Sequence, residues 1–246
     1  LSAKTGGKLV INDKINGHDY NVKITGDETG AVYVGDKISA IKVDKDANTA
    51  MAYEGNVDIS LEGTNLLLST FDNVLDNNNL KLNSGALSMI NGQVGQMTLN
   101  NLDVAQDTKF FADVDLANQN MDRIVANSYT GDAKIVVEGF SLLSDSPNEY
   151  TEIVFAQGDL KDNVRNNVPS TNGNRYQRRV FSPIFKYDVN YVERNDAGYF
   201  TFSRGASSNS VSNFNPAVLG ASTATVVGAL GTLSNVYNYA FVNSDR

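Results

Sequence analysis

Apolar and polar residues alternate along this chain in many short runs, and Asn, Asp and Gly cut those runs at close intervals. Residues 8–11, 20–24, 31–34, 38–43 and 57–61 lead into Leu66-Leu67-Leu68, and 80–82, 87–90, 97–99 and 102–104 follow. Alternation with period two predicts strands that each bury one face. Asn77-Asn78-Asn79, Asn83-Ser84-Gly85, Asn91-Gly92 and Asn100-Asn101 supply turns every few residues. Between Leu80 and Val104 comparable positions return after roughly 20 residues, near the lower end of solenoid repeat periods. Strands of three to five residues bury little in an isolated hairpin, but stacked as coils they share a continuous interior. Asn suits the corners because it tolerates left-handed backbone and stacks into side-chain ladders. A β-sandwich also gives many strands with regular turns, though with longer strands. The solenoid reading predicts parallel coils over residues 60–108, with Leu80, Leu82, Leu87, Met89, Met97, Leu99 and Leu102 pointing inward.

Past Thr108 the strands lengthen and take up aromatic residues. Residues 110–116 alternate, a turn at 117–120 leads to 121–125, and 133–138 and 152–155 follow. Residues 186–192 and 198–202 read as a hairpin around Asn195-Asp196-Ala197-Gly198. Tyr187, Val189 and Tyr191 share one face of its first arm, and Phe200 and Phe202 alternate with Tyr199 and Thr201 on the second. The last coil of a solenoid exposes an unpaired edge and needs a cover. Phe110, Phe155, Tyr187 and Phe200 are the expected core of that cap, because aromatic rings carry the most burial per residue.

The tail departs from both patterns. Asn215 can cap a helix with Pro216 at its first position, and Val226, Leu230, Leu233, Tyr237 and Ala240 then recur at spacings of four and three. No charged residue lies between Arg204 and Asp245. If residues 216–242 are all helical, the rod is on the order of 40 Å long, enough to cross a hydrocarbon core. Ser222, Thr223, Thr225, Thr232, Ser234, Asn235 and Asn238 make the other face polar, which suits a wet or protein-lined channel better than lipid. The same pattern also suits a helix lying on the chain's own core. Val226, Leu230, Leu233, Tyr237 and Phe241 are the expected contact face.

A length of 246 residues allows one elongated domain or two compact ones. The net charge of −8 argues against a nucleic-acid partner, since phosphate contacts need local positive charge. Arg175, Arg178 and Arg179 cluster, but in a polar stretch that reads as a solvated loop. The absence of cysteine suits a chain exported unfolded through a narrow pore, where a premature disulfide would jam. Residues 1–7 carry no charged segment followed by an apolar one, so the chain reads as mature or excised.

Catalytic chemistry has few candidates. His18 is the only histidine, in Asn16-Gly17-His18-Asp19-Tyr20, which reads as a turn; a triad there would need a nucleophile and an orienting acid that the sequence does not show. With no Cys a zinc site is not expected. Parallel β-helix enzymes acting on polysaccharides line a groove with carboxylates, and Asp44, Asp46, Asp113 and Asp115 can be read that way. Asp113 and Asp115 fall opposite Val114 and Leu116, which favours the solvated side of an amphipathic strand. Asp72, Asp76 and Asp107 sit in Asn-rich turns where calcium could bind, but the Gly-Gly-x-Gly-x-Asp repeat is missing and corner capping is favoured. No glycine-rich stretch has phosphate-loop or dinucleotide spacing.

The order of several segments resembles a known family. Residues 80–116, then DLANQNMDRIVANSYTGDAKIVVEGFSLLSD, SPIFKYDVNY, FTFSR and FNPAVLGASTATVVGALGTLSNVYNYAF, resemble the C-terminal passenger region of the large adhesin-like autotransporters of Gram-negative bacteria. Asp122, Ile124, Gly131, Ile135 and Val137 fall at the matching positions of its junction pattern. The resemblance implies a right-handed parallel β-helix ending in an autochaperone-like cap, with a linker helix threading an outer-membrane barrel. That barrel, about a dozen amphipathic strands in the family, does not follow here, which implies a passenger fragment or released product. Residues 1–60 match only loosely, and 20–51 can be an inserted or different fold.

Together these readings give an all-β right-handed parallel β-helix with a β-rich cap and a terminal α-helix. Residues 1–108 form coils, 109–204 the cap, and 205–246 the linker and amphipathic helix. The implied function is non-enzymatic, an adhesive or stalk-like passenger at the cell surface or outside the cell, with the cap driving passenger folding during export. No cofactor is expected. The expected partners are the parent chain's outer-membrane β-barrel, and a host or neighbouring-cell surface ligand or another copy. A polysaccharide-degrading β-helix enzyme and a self-assembling filament subunit are the alternatives.

Overall fold

The computed structural model describes residues 1–4, 6–12, 15–17, 22–26, 30–35, 38–44, 49–54, 58–63, 67–70, 74–168, 179–181 and 185–204. Among the described residues the chain is mostly β-strand with almost no helix. It divides into two compact units, Leu1–Met89, Gly95–Phe110 and Arg123–Val136 in the first, and Ile90–Val94, Phe111–Asp122 and Val137–Arg246 in the second. The expected helix over 205–246, with Val226, Leu230, Leu233, Tyr237 and Phe241, lies outside the described residues. So do His18, Asp46, Asp72, Arg175 and Arg178.

In the first unit, Ser2–Ala3, Val22–Gly26, Asp58–Glu62, Asn79–Asn83, Gln96–Gln106 and Arg123–Thr130 follow one another across one sheet. Each pairs with the next in parallel. Lys8–Ile11, Ala31–Val34, Leu67–Thr70 and Ala86–Ser88 form a second parallel series. The parallel pairing expected over 60–108 is therefore present among the described strands. Because the register keeps like positions opposite one another, apolar residues stack in rows across strands. Ile24, Leu61, Leu82 and Val104 make one row, and each is 0% exposed. Leu80 lies between Ile59 and Leu102, and Val32, Leu68 and Leu87 stack in the second series. Each fully buried side chain of this kind is worth roughly 1.5–3 kcal/mol over an exposed one. Leu80, Leu82, Leu87, Met89, Met97, Leu99 and Leu102 are all buried.

The corners are closed by the Asn and Asp residues of the turns. Asp76 Oδ1 accepts the Thr98 N–H at 2.7 Å and Asp107 Oδ1 accepts the Lys134 N–H at 2.9 Å, so these two carboxylates cap corners. Asn77 takes φ 61°. Gly131 takes φ +98°, and a Cβ there would overlap the Val104 carbonyl oxygen, so the turn admits only glycine.

Two expectations change. Asn100-Asn101 is not a break: Gln96–Gln106 is one continuous strand of 11 residues. The two asparagines stay extended because both sides of the strand are occupied, Asn101 lying between Asn79 and Ser128. Nor is all of 20–51 foreign to the ladder. Val22–Gly26 and Ala31–Val34 join the parallel series, while Ile15–Gly17, Ile38–Asp44 and Thr49–Glu54 form a separate three-stranded sheet.

The second unit contains a four-stranded antiparallel sheet. Tyr150–Gln157, Ala197–Ser203, Lys186–Arg194 and Arg179–Phe181 are neighbours in that order. The expected hairpin is there, with Arg194 opposite Ala197 across Asn195 at φ 53°. Phe200 meets Phe140, Phe155 and Tyr191 at 5.0, 5.3 and 5.1 Å between ring centroids, mostly in the edge-on contacts that aromatic quadrupoles favour. Phe155, Tyr187 and Phe200 are buried here. Phe110 is equally buried but belongs to the first unit. Tyr187 accepts the Ser146 N–H at 3.0 Å through its hydroxyl, which gives its buried oxygen a partner.

Candidate functional site

The outward side chains of the parallel sheet in the first unit form the most developed surface feature. Alternation that sends Leu80 and Leu82 inward sends Asn79, Lys81 and Asn83 outward, and parallel register repeats that choice on each neighbouring strand. One row holds Asp58, Asn79, Asn101 and Ser128 in register. A second holds Lys23, Ser60, Lys81, Asp103 and Thr130. A third places Thr25, Glu62 and Asn83 together. Members of a row stand about 4.8 Å apart, the strand spacing. Between the rows lies an open groove of about 570 Å³ whose lining includes Lys23, Lys81, Asp58, Glu62 and Asp103.

These side chains bind one another. Asn79 Nδ2 donates to Asp58 Oδ1 at 2.7 Å, Ser128 Oγ to Asn101 Oδ1 at 2.7 Å and Asn83 Nδ2 to Glu62 Oε1 at 3.4 Å. Lys23 Nζ is 2.6 Å from Glu62 Oε2, and Lys81 Nζ is 3.4 Å from Asp103 Oδ2. The hydrogen bond and charge of Lys23 hold the Glu62 carboxyl below the usual range, with Asn83 adding to the effect. A general acid needs the opposite displacement. What the rows offer instead is a regular array of donors and acceptors, with no aromatic ring among the groove's lining residues.

Asp113 and Asp115, expected together on a solvated face, are separated by their surroundings. Asp113 is 0% exposed, because residues 110–114 are buried on both faces. Its Oδ2 accepts the N–H groups of Asn91 and Gly92, each at 2.7 Å, and its own N–H donates to Asp122 Oδ2 at 2.7 Å. Asp122 N–H returns a bond to the Asp113 carbonyl at 2.9 Å. Asp113 Oδ1 has no partner within strict hydrogen-bond geometry, while the Ser141 hydroxyl and the Gln93 N–H join the Asn91 and Gly92 N–H groups in favouring the charged carboxylate. Burial pushes the Asp113 carboxyl up, against these donors that pull it down. Asp115, half-buried, is held low by Ser144 Oγ at 2.5 Å and Asn118 Nδ2 at 2.7 Å. Two carboxylates two residues apart are thus shifted in opposite directions.

Of the junction residues, Asp122, Ile124, Ile135 and Val137 are buried, and Gly131 is the glycine-only turn described above. Asp44 lies in a described strand, and no cluster that could hold a metal ion occurs among the described residues. The groove rows escaped the sequence reading, since their members are 21 or more residues apart. Superposing the chain on itself at offsets of 21 and 22 residues would have aligned Asp58 with Asn79 and Asn79 with Asn101. Comparison with known proteins finds no matching family model, no matching curated protein and no matching solved structure.

Proposed function

We propose that this chain is a non-enzymatic passenger segment displayed at a bacterial cell surface or released from it, whose parallel strands form a right-handed β-helix and whose outward polar rows contact a surface ligand. The carrying observation is the register of the first unit, which lines up the same kind of side chain on consecutive parallel strands. Such a face binds weakly at each rung and gains strength from repetition. The aromatic second unit serves as the cap that folds first outside the cell, and its folding free energy opposes backsliding during export. The resemblance to adhesin-like autotransporters supports this reading. Its test is binding of the purified chain to bacterial and host cell surfaces, compared with a variant carrying Lys23→Glu and Lys81→Glu. Binding that the charge reversals abolish supports the reading; a chain that adheres to neither surface overturns the adhesive role.

Asp58, Glu62 and Asp103 in one groove also favour a polysaccharide-cleaving reading. Against it, Glu62 is ion-paired and its carboxyl is displaced away from the protonated form an acid catalyst requires. Release of new reducing ends from a polysaccharide panel, lost in Asp58→Asn and Asp103→Asn, would establish that alternative.

A further inference from the structure

The loop held by Asp113 brings together the parts of a self-modifying reaction. Asn91 is followed by Gly92, whose lack of a side chain leaves the backbone nitrogen next in sequence to the Asn91 carboxamide unshielded. Gly92 sits at φ +84° with nothing within 4 Å of where a Cβ would be. Its N–H points at Asp113 Oδ2, 2.7 Å away. The Asn91 Oδ1 atom in turn accepts the Gln93 N–H at 2.8 Å. Gly92 and Gln93 are exposed, while Asp113 is fully buried with Oδ1 unpartnered.

We propose that Asn91-Gly92 is a self-catalysed succinimide and deamidation site, with Asp113 as general base and the Gln93 N–H as oxyanion donor. In the first step the Gly92 nitrogen gives its proton to Asp113 Oδ2 and bonds to Asn91 Cγ. Negative charge collects on Asn91 Oδ1, where the Gln93 N–H stabilises it. The tetrahedral centre then collapses, the C–N bond of the carboxamide breaks, and the proton from Asp113 leaves with the nitrogen as ammonia. Water opens the resulting ring at either carbonyl and leaves aspartate or isoaspartate at position 91. Nothing beyond water is consumed. Order alone would protect an Asn-Gly bond by fixing its nitrogen. A carboxylate acceptor differs from a carbonyl because it can take the proton. Burial strengthens it as a base, since a desolvated carboxylate favours its protonated form. Asp122 accepts the backbone N–H of Asp113 and so holds the strand that carries the base.

The test follows deamidation by peptide mapping and mass spectrometry of the whole chain at neutral pH, beside a synthetic peptide spanning residues 87–96. General-base assistance predicts conversion roughly 10²-fold faster in the folded chain than in the peptide. The advantage should vanish when the same chain is unfolded in guanidinium chloride, which needs no variant. Asp113→Asn, which keeps an oxygen acceptor but cannot take a proton, should lose the same factor while circular dichroism stays unchanged. A folded chain that converts no faster than the peptide, or faster conversion on unfolding, overturns the proposal.

Discussion

The two units reach stability by different distributions of the same effect. In the first, burial is spread along rows of Ile, Leu and Val that repeat on strand after strand. In the second it is concentrated in a few large rings, the buried Phe155, Phe200 and Phe202, with half-buried Phe140 against Phe200 and Phe202 and Tyr191 against Phe200. A repetitive stack resembles a sum of similar terms, so losing one member leaves the others in place. A ring cluster is shared, and removing one member opens a void against all its neighbours. The same contrast bears on folding order. The hairpin contact of Tyr191 with Phe200 closes a short loop, but Phe155 and Phe140 reach Phe200 across about 45 and 60 residues, longer than the 20 or so of a parallel rung. Only the hairpin is therefore favoured to form early.

The sharpest way to break this comparison is to remove a ring. Phe200→Ala should cost about 3–5 kcal/mol, enough to unfold the second unit under conditions where the first persists. Leu9→Ala, on a half-buried edge-strand residue, should cost about 1 kcal/mol. Guanidinium denaturation followed by far- and near-ultraviolet circular dichroism separates the two. Equal losses in both variants would mean that the units share one cooperative core.

Next in size are the turns, where the first unit is the less forgiving. Gly131→Ala places a methyl group on the Val104 carbonyl oxygen in left-handed backbone, and should cost about 2 kcal/mol or more. Gly158 in the second unit has φ +57° and open space around it, so Gly158→Ala should cost about 1 kcal/mol. Thermal melting of both variants checks the order.

What the sequence could and could not show follows from range. Alternation is local, so inward residues such as Leu80, Leu82 and Met97 were legible, as was the hairpin at Asn195. Parallel pairing was legible only through turn spacing. Asn100-Asn101 misled because turn propensity is a local preference that two flanking strands override. Asp113 misled for a related reason, since alternation assumes one wet face and its strand is buried on both. Its partners, the N–H groups of Asn91 and Gly92, are 22 and 21 residues away, a distance no local pattern reports. The groove was hidden in the same way, as its rows exist only once the register is known.

Tyr187→Phe should have an intermediate effect on the second unit. It removes the oxygen that accepts the Ser146 N–H and donates to Asp145 Oδ1 at 3.3 Å, leaving a buried donor unpaired at a cost of about 1–3 kcal/mol. The phenol also gives a pH signature. Burial pushes its pKa up to about 12, above the value of about 10 for an unfolded tyrosine. A raised folded-state pKa means that its stabilising contribution is complete below about pH 10 and is lost as pH rises toward about 12. The alkaline limb of the unfolding profile should therefore flatten in Tyr187→Phe, and an unchanged limb would place the alkaline sensitivity elsewhere.

The smallest expected effect decides what the outward rows are for. Asn79→Ala removes the bond to Asp58 but buries nothing new and leaves the inward row of Ile59, Leu80 and Leu102 untouched. Surface changes of this kind stay within about 0.5 kcal/mol, because water replaces the lost partner. If the melting temperature is unchanged while cell-surface binding weakens, the rows are free to serve a ligand, and the ladder's stability lies in its apolar interior. A loss of several times that size would mean instead that Asp58, Asn79 and Asn101 are held as a structural side-chain ladder between rungs. The groove would then be a by-product of the register, and the search for a contact surface would move to the outer face of the antiparallel sheet, where Arg194 lies 5.0 Å over the Tyr199 ring and Tyr150 is 55% exposed.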